Sequence, residues 1–492
     1  MKKFIVSIDQ GTTSTRSILF DISGNQVFVS QKEFKQYFPK NGWVEHDPEE
    51  IWKKTKTTLQ DVIKKSYKLK GKILTIGITN QRETTVLWNK KTGKCIYNAI
   101  VWQDRRTLNF CSKLKKRGLE RTIKDKTGLL LDPYFSSSKI NWIIKNIASS
   151  KKLIKNNRLL FGTIDTFLIW KLTKGKVHAT DATNASRTML YNIKKNKWDK
   201  TLLNIFKIPY QVLPCVKNSA DKFGFTDKSF TKKSYSITGV IGDQQAAVIG
   251  QGCFSKGSTK ITYGTGAFAI TNTGNKINFS KNKLLTTICY RIDNRTTYAV
   301  EGSIFIAGAS IKWLIDKLKI ITNSNQTENI SKILKNNKDV YFVPAFTGLG
   351  APHWKPDARG IIVGLTRDTG QFEIVRAALE SVVYQSSDLL KAMKNDGLKP
   401  NIIKVDGGMS QNKWFNQFLS DILNLKVSKS KIQETTALGA ALIAGYGAGI
   451  FKSFSQLSKI NRTNVQFTPK MNKKNRLKLL NGWNQAIRKT IK

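Results

Sequence analysis

Histidine and cysteine are scarce in this chain, with three and five residues among 492. The cysteines (Cys95, Cys111, Cys215, Cys253, Cys289) are odd in number, scattered, and never spaced as C-x-x-C. That pattern argues against a disulfide framework and a thiolate zinc site. His46, His178 and His353 are not at ligand spacing either, so a metal here is expected to be a hard ion held by carboxylate and phosphate oxygens. Long apolar runs are missing: none reaches the roughly 18 residues that span a bilayer. Near the start, Asp9 cuts the apolar stretch before it is long enough for a secretory signal. The expectation is a cytoplasmic protein without membrane insertion.

Acidic residues are also few, 33 Asp+Glu against 83 Lys+Arg, for a net charge of +50. An excess of that size fits a nucleic-acid or anionic-surface binder. It also fits compositional drift, because the surplus is mostly Lys in the company of Asn and Ile, all three encoded by A/T-rich codons. The lysines run along the whole chain instead of forming one arm or stripe. Drift is the favoured reading, with no specific nucleic-acid partner and polyanion binding as a side effect. With 40% hydrophobic and 24% charged residues, the rest of the composition is that of an ordinary soluble protein. A chain this long exceeds one core, so two domains are expected.

Phe4–Ile8 and Ser17–Phe20 read as strands joined by the polar turn Asp9-Gln10-Gly11-Thr12-Thr13-Ser14-Thr15, a hairpin pattern. Asp47-Pro48-Glu49-Glu50 opens a helix with Pro in its first turn and acids at its positive end. Ile73–Thr79 is a strand that runs into Asn80-Gln81-Arg82-Glu83-Thr84-Thr85 and resumes at Val86–Trp88. Strands and amphipathic helices then alternate, which signals an α/β layered fold. A second cycle starts at Ile237–Ile241, followed by Asp243 and a helix from Ala246. Lys260–Tyr263 and Phe268–Thr271 flank a second Gly-Thr turn, Gly264-Thr265-Gly266-Ala267, so the chain carries a faint internal duplication. Ile402–Val405 leads into Asp406-Gly407-Gly408, with helices over Trp414–Leu423 and Thr436–Tyr446. The last 25 residues suggest a surface helix. The domain boundary falls near 245–255, which divides the chain into 1–250 and 251–492.

Gly and hydroxyl residues between two strands turn several N–H groups and small hydroxyls toward one point, an arrangement that suits a phosphate. Asp9 is then placed for Mg²⁺ and Arg16 for phosphate charge, although a polar turn with nothing bound has the same sequence. Gly308-Ala309-Ser310 and Asp406-Gly407-Gly408 let a flat ligand approach the backbone, or are ordinary caps and loops. Arg82-Glu83 is either a surface ion pair or a donor and acceptor for a polyol. Trp102 and Tyr134 are core aromatics or the wall of such a site. Asp243 suits a helix N-cap, or the carboxylate that takes a proton from an attacking hydroxyl.

Taken in order, Asp9–Ser14, Asn80–Thr84, Trp102-Gln103-Asp104-Arg105-Arg106, Gly242–Ala246, Tyr263–Gly266 and Asp406–Gly408 resemble the glycerol-phosphorylating branch of the FGGY carbohydrate kinase family. Tyr134–Trp142 is similar to that family's first signature, and the likeness runs from about residue 4 to 450. It implies two ribonuclease-H-like domains of the actin/hexokinase/Hsp70 type with a cleft between them, and transfer of the γ-phosphate of ATP to glycerol. By matching position, Thr12, Thr13, Ser14 and Arg16 would meet nucleotide phosphates and Asp9 the Mg²⁺. Arg82, Glu83, Trp102, Tyr134, Asp243, Gln244 and Phe268 would bind glycerol, with Asp243 as general base. Thr265, Gly308, Lys312, Gly408 and Asn412 would complete the nucleotide site, Lys312 replacing the family's usual Gln. A homodimer or homotetramer is implied as well. The Gly-Gly-x-Arg loop that binds fructose 1,6-bisphosphate in some members is not seen between Phe223 and Gly239, so weak or no inhibition by that sugar phosphate is expected. The tail lacks a recognisable docking segment for a sugar-transport regulator. Another FGGY sugar kinase, or a non-catalytic nucleotide or polyanion binder, are the competing readings.

Overall fold

The computed structural model describes residues 1–355, 357–460 and 464–491. Two mixed sheets, each flanked by helices, form two α/β domains. In the first sheet Lys2–Gln10 is central, antiparallel to Ser14–Asp21, which pairs with Gln26–Glu33. On its other side run Gly71–Asn80 and then Ile237–Gly242, both parallel. The second sheet repeats this plan. Thr259–Tyr263 is antiparallel to Ala267–Gly274, which pairs with Arg295–Ile304, while Ile402–Asp406 and Lys426–Ser430 continue parallel on the far side. The Leu285–Ile292 and Asn464–Phe467 strands extend its edges. The duplication read from two Gly-Thr turns is thus a repeated sheet topology.

Local chemistry explains the elements that carry the site. Phe4 to Gln10 are all buried, as befits a central strand of a mixed sheet covered on both faces. The Pro48–Lys68 helix starts where the Asp47 side chain accepts from Glu49 N–H at 2.8 Å. The expected resumption at Val86–Trp88 is a different element: Val86–Asn89 leaves the first sheet and pairs antiparallel with Leu159–Gly162. The helix expected from Ala246 begins at Asp243, because Gly242 takes the extended N-cap conformation. The C-terminal helix, Lys473–Ile491, is docked and not merely superficial. Trp483 is fully buried, stacks on Tyr384 at 5.4 Å and donates to Asp388 at 2.9 Å. Lys492 lies outside the described residues.

A shared apolar cluster joins the domains. It contains Ile5, Ile18 and Phe20 of the first sheet, Ile270, Cys289 and Ala299 of the second, and the helices Asp243–Gly250 and Thr435–Gly447. These helices cross backbone to backbone: a Cβ on Gly439 would lie 1.8 Å from Ala246 O, and one on Gly250 1.9 Å from Thr435 O. Thr435–Gly447, although it stands in the chain between the Lys426–Ser430 and Asn464–Phe467 strands of the second sheet, lies on the first. Thr238 Oγ1 donates to Ala444 O at 2.7 Å, and a Cβ on Gly77 would sit 2.2 Å from Ala440 O.

Candidate active site

The strands carry their functional residues to their ends, where the two halves face each other. At the end of Lys2–Gln10, Gly11 N–H closes the first turn on Ser14 O at 2.9 Å. Thr12 and Ser14 are half-buried and Thr13 is exposed. Asp9 is 3% exposed and binds Arg16 at 2.7 Å, and Arg16 reaches across to Glu434 at 2.6 Å. Burial pushes the Asp9 carboxyl up, while Arg16 opposes it.

Arg82 and Glu83 follow the Gly71–Asn80 strand. They look like a mutual pair in sequence, yet 3.8 Å separates them and each has a stronger partner elsewhere. The Arg82 guanidinium grips Glu301 with Nη1 at 2.7 Å and Nη2 at 2.9 Å, while Arg187 Nε donates to Glu83 at 2.6 Å. Arg187 Nη2 also reaches Glu301, at 3.3 Å. Burial pushes Glu83 up against the pull of Arg187 and Arg82. Burial acts on Glu301 in the same sense, but the two arginines outweigh it and hold Glu301 down at about 2. Glu83 sits at φ +61°, an uncommon conformation for a side-chain-bearing residue. Its carbonyl is fixed there by the Ser136 and Thr85 hydroxyls at 3.0 and 3.1 Å.

Asp243 opens its helix, its Oδ1 accepting from Gln244 N–H at 2.6 Å and lying 3.2 Å from Arg82 Nε. Its side chain keeps 30% exposure, against 2% or less for Arg82, Glu83, Arg187 and Glu301, so it is the most open member of the charge cluster. Burial raises its carboxyl, opposed by Arg82 and Lys260. Gln244 Oε1 accepts from the buried Lys260 ammonium at 2.6 Å, which leaves its amide N–H groups without an acceptor among the described residues.

Trp102 stands between Tyr134 and Phe268, with ring centroids at 5.6 and 6.2 Å, so aromatics from both halves form one apolar wall. Its indole N–H donates to Thr12 Oγ1 at 3.1 Å, tying the wall to the first turn. Tyr134 is positioned from behind: Lys139 Nζ donates to Tyr134 O at 2.6 Å and Pro133 O at 3.2 Å. Arg106 of the W-Q-D-R-R run is scaffold. It binds Asp104 and Glu45 at 2.8 and 2.7 Å and lies 3.7 Å from the Trp43 ring centroid.

Across the cleft, Gly308 N–H donates to Gly264 O and Ala307 N–H to Thr265 O, both at 2.9 Å, closing the second turn onto the Gly308–Trp313 helix. Gly407, at φ +86°, presses on Tyr263, where a Cβ would come within 2.3 Å of its carbonyl. A Cβ on Gly408 would meet nothing within 4 Å, so the surface beside the turn is open to a flat ligand. Two expected residues have other work. Lys312 projects into solvent with 78% of its side chain exposed, paired with Asp316 at 3.1 Å. Asn412 caps the Lys413–Leu423 helix through Phe415 N–H at 2.8 Å and donates to Thr327 at 3.2 Å. Arg187, Glu301 and Lys260 were not singled out by sequence; burial of a charge is their only signature, and it appears only in three dimensions.

Among the described residues no group of three or more His, Cys, Asp or Glu forms a metal cage. Mg²⁺, however, is commonly held by one or two carboxylates together with substrate phosphates. Asp9 fits that role, since Arg16 occupies Oδ2 and no hydrogen bond is formed at Oδ1 among the described residues.

Residues 4–250 match the profile of the N-terminal domain of the FGGY family of carbohydrate kinases, and residues 259–448 that of its C-terminal domain. The chain belongs to the FGGY family of carbohydrate kinases. Two curated relatives in this family are glycerol kinases, of Rhizobium meliloti (53% identical) and Sinorhizobium fredii (54%), each aligned over 100% of this chain and 99% of the relative. The crystal structure of Plasmodium falciparum glycerol kinase with ADP superposes with a TM-score of 0.95 at 40% identity, covering 100% of this chain and 99% of that one. An FGGY fold is also seen in Lactobacillus acidophilus xylulose kinase, with a TM-score of 0.89 at 24% identity over 99% of this chain and 97% of that one.

Proposed function

We propose that this FGGY kinase transfers the γ-phosphoryl group of ATP to a primary hydroxyl of glycerol, giving sn-glycerol 3-phosphate and ADP, the first step of glycerol use. The observation that carries this reading is the pocket where a donor (Arg82), an acceptor (Glu83) and the part-exposed Asp243 meet an aromatic wall. That wall is one hydrogen bond from the first Gly-Thr turn. Hydroxyls that both donate and accept match Arg beside Glu, and a three-carbon backbone matches Trp102 and Phe268. Gln244 adds an amide donor, and the half-buried Tyr134 adds a hydroxyl whose pKa burial pushes up.

Asp243 takes the proton of the attacking hydroxyl as its oxygen bonds to the γ-phosphorus and the bond to the β,γ-bridging oxygen breaks, releasing ADP. Thr12, Thr13, Ser14 and Arg16 receive the phosphates from one side. Thr265, Gly308 and Gly408 complete the nucleotide site from the other, with Asn412 shaping it through its cap and Lys312 at its solvent edge. Asp9, together with phosphate oxygens, would hold Mg²⁺, which would supply neutralisation of the phosphate charge. Supporting this reading are the full-length likeness to glycerol kinases and the open surface over Gly408. The domains divide at 250/251 in this reading, and the enzyme assembles as a homodimer or homotetramer. No helix among the described residues is long and apolar enough to cross a membrane.

The test is ATP-dependent phosphorylation of glycerol alongside xylulose, gluconate and erythritol. Turnover should be greatest with glycerol, and preference for a sugar would refute the substrate. In Asp243→Asn we expect turnover to fall by about 10²–10⁴ with ATP binding kept, the range general-base loss covers. Near-normal turnover would remove Asp243 from the mechanism.

A further inference from the structure

Arg82 sits on the first half of the chain, but its strongest partner comes from the second. Glu301 lies in the Arg295–Ile304 strand, is fully buried, and takes both Nη groups of Arg82 on its two oxygens. A guanidinium has five N–H donors in a rigid fork, and here they can be accounted for. Nη1 gives one to Glu301 and one to Gln245 Oε1 at 3.2 Å; Nε faces Asp243 at 3.2 Å; Nη2 gives one to Glu301. The second Nη2 hydrogen has no acceptor among the described residues. Arg187 completes the cluster by joining Glu301 to Glu83, and its buried Nη1 has no hydrogen-bond partner among the described residues.

We infer that Glu301 is a positioning residue for substrate: reaching in from the second domain, it orients Arg82 so that Nε addresses Asp243 and one Nη2 hydrogen is left for a substrate hydroxyl. This rests on the glycerol pocket proposed above. Stability alone gives no reason for such an arrangement, because a buried ion pair is often matched or bettered by apolar residues of the same volume. A fork clamped by both oxygens has instead one orientation, which is what a recognition site needs. Because the clamp spans the domains, the pocket's main donor is aimed only when the two halves stand together.

The experiment measures KM for glycerol and for ATP in Glu301→Gln, with kcat/KM for glycerol followed against pH. The glycerol KM should rise at least tenfold while the ATP KM stays within twofold. The acid limb should also move to lower pH: Asp243 is faced by Arg82, Lys260 and Glu301, and this variant removes the anion among them. An unchanged glycerol KM, or an equal rise in both KM values, would overturn the inference. Should Glu301→Gln fail to fold, the double variant Glu301→Gln/Arg187→Gln removes one charge of each sign. The same rise in glycerol KM is expected of it, and no rise would overturn the inference. If the wild type phosphorylates another polyol instead, the glycerol reading fails while the same split is measured on that polyol.

Discussion

Lys139 offers a case where stability and activity should part. Its ammonium is fully buried and is pushed down to about 8 by burial, against the pull of Glu83, Asp104 and Asp132. In the unfolded chain it returns to its ordinary value of 10.5. Below about pH 8 it is charged in both states, and folding bears the whole cost of burying the charge, roughly 3 kcal/mol for a shift of this size. Between the two values the unfolded chain binds more protons than the folded one, so stability rises with pH. About 2 kcal/mol of that relief falls between pH 8 and pH 10. Lys139→Met removes the titration. The urea midpoint of the wild type should therefore gain on that of the variant over this interval, by about 0.5–1 M for an m-value of 2–4 kcal/mol/M. At pH 7 the variant should be no less stable than the wild type, since it loses a buried charge along with two hydrogen bonds to carbonyls. Its glycerol KM should nevertheless rise by about tenfold, the worth of one charge-assisted bond, because Tyr134 is no longer held from behind. A midpoint difference that stays flat from pH 8 to 10 would refute the buried charge, and an unchanged KM would refute the positioning of Tyr134.

Arg106→Ala leaves Asp104 and Glu45 buried without their cation beside an emptied Trp43 face, so we expect a loss of about 3–5 kcal/mol in urea unfolding; a loss below 1 would show the cluster to be dispensable. Gly439→Ala drives a Cβ into the Ala246 carbonyl and should cost about 3 kcal/mol or more and lower turnover, since the crossing helix carries Asp243 at its start; unchanged melting would mean that the helices can part freely.

Local signals were legible wherever the chemistry is local. The Asp47-Pro48 helix start, the first hairpin and the Gly-Thr turns needed only nearby residues, and their strands appear where the apolar runs stand. Asp243 was visible as a carboxylate after a strand, although the helix start was placed three residues late because a glycine N-cap leaves no side-chain signal. Val86–Trp88 misled because a short apolar strand does not say which sheet it joins. The clamp on Arg82 was illegible for a plainer reason: Glu301 is 219 residues away, between Val300 and Gly302 in an ordinary strand. Lys260 was lost among 83 Lys+Arg, since only burial sets it apart. Lys312 and Asn412 show the converse, positions matched by motif whose side chains are occupied by an ion pair and a helix cap.

The helix Thr435–Gly447 bears on how this protein is made. It covers the face of the first sheet, yet it follows residue 250 by about 200 positions. At a synthesis rate of about 5–20 residues per second, the first half waits roughly 10–40 s on the ribosome with Ile5, Ile18 and Ile241 uncovered. The nascent chain is then an apolar sheet without its lid, exposed to aggregation over that interval. A fragment ending at residue 250 would keep that face bare permanently, so the halves are separable in the gene but not in the test tube.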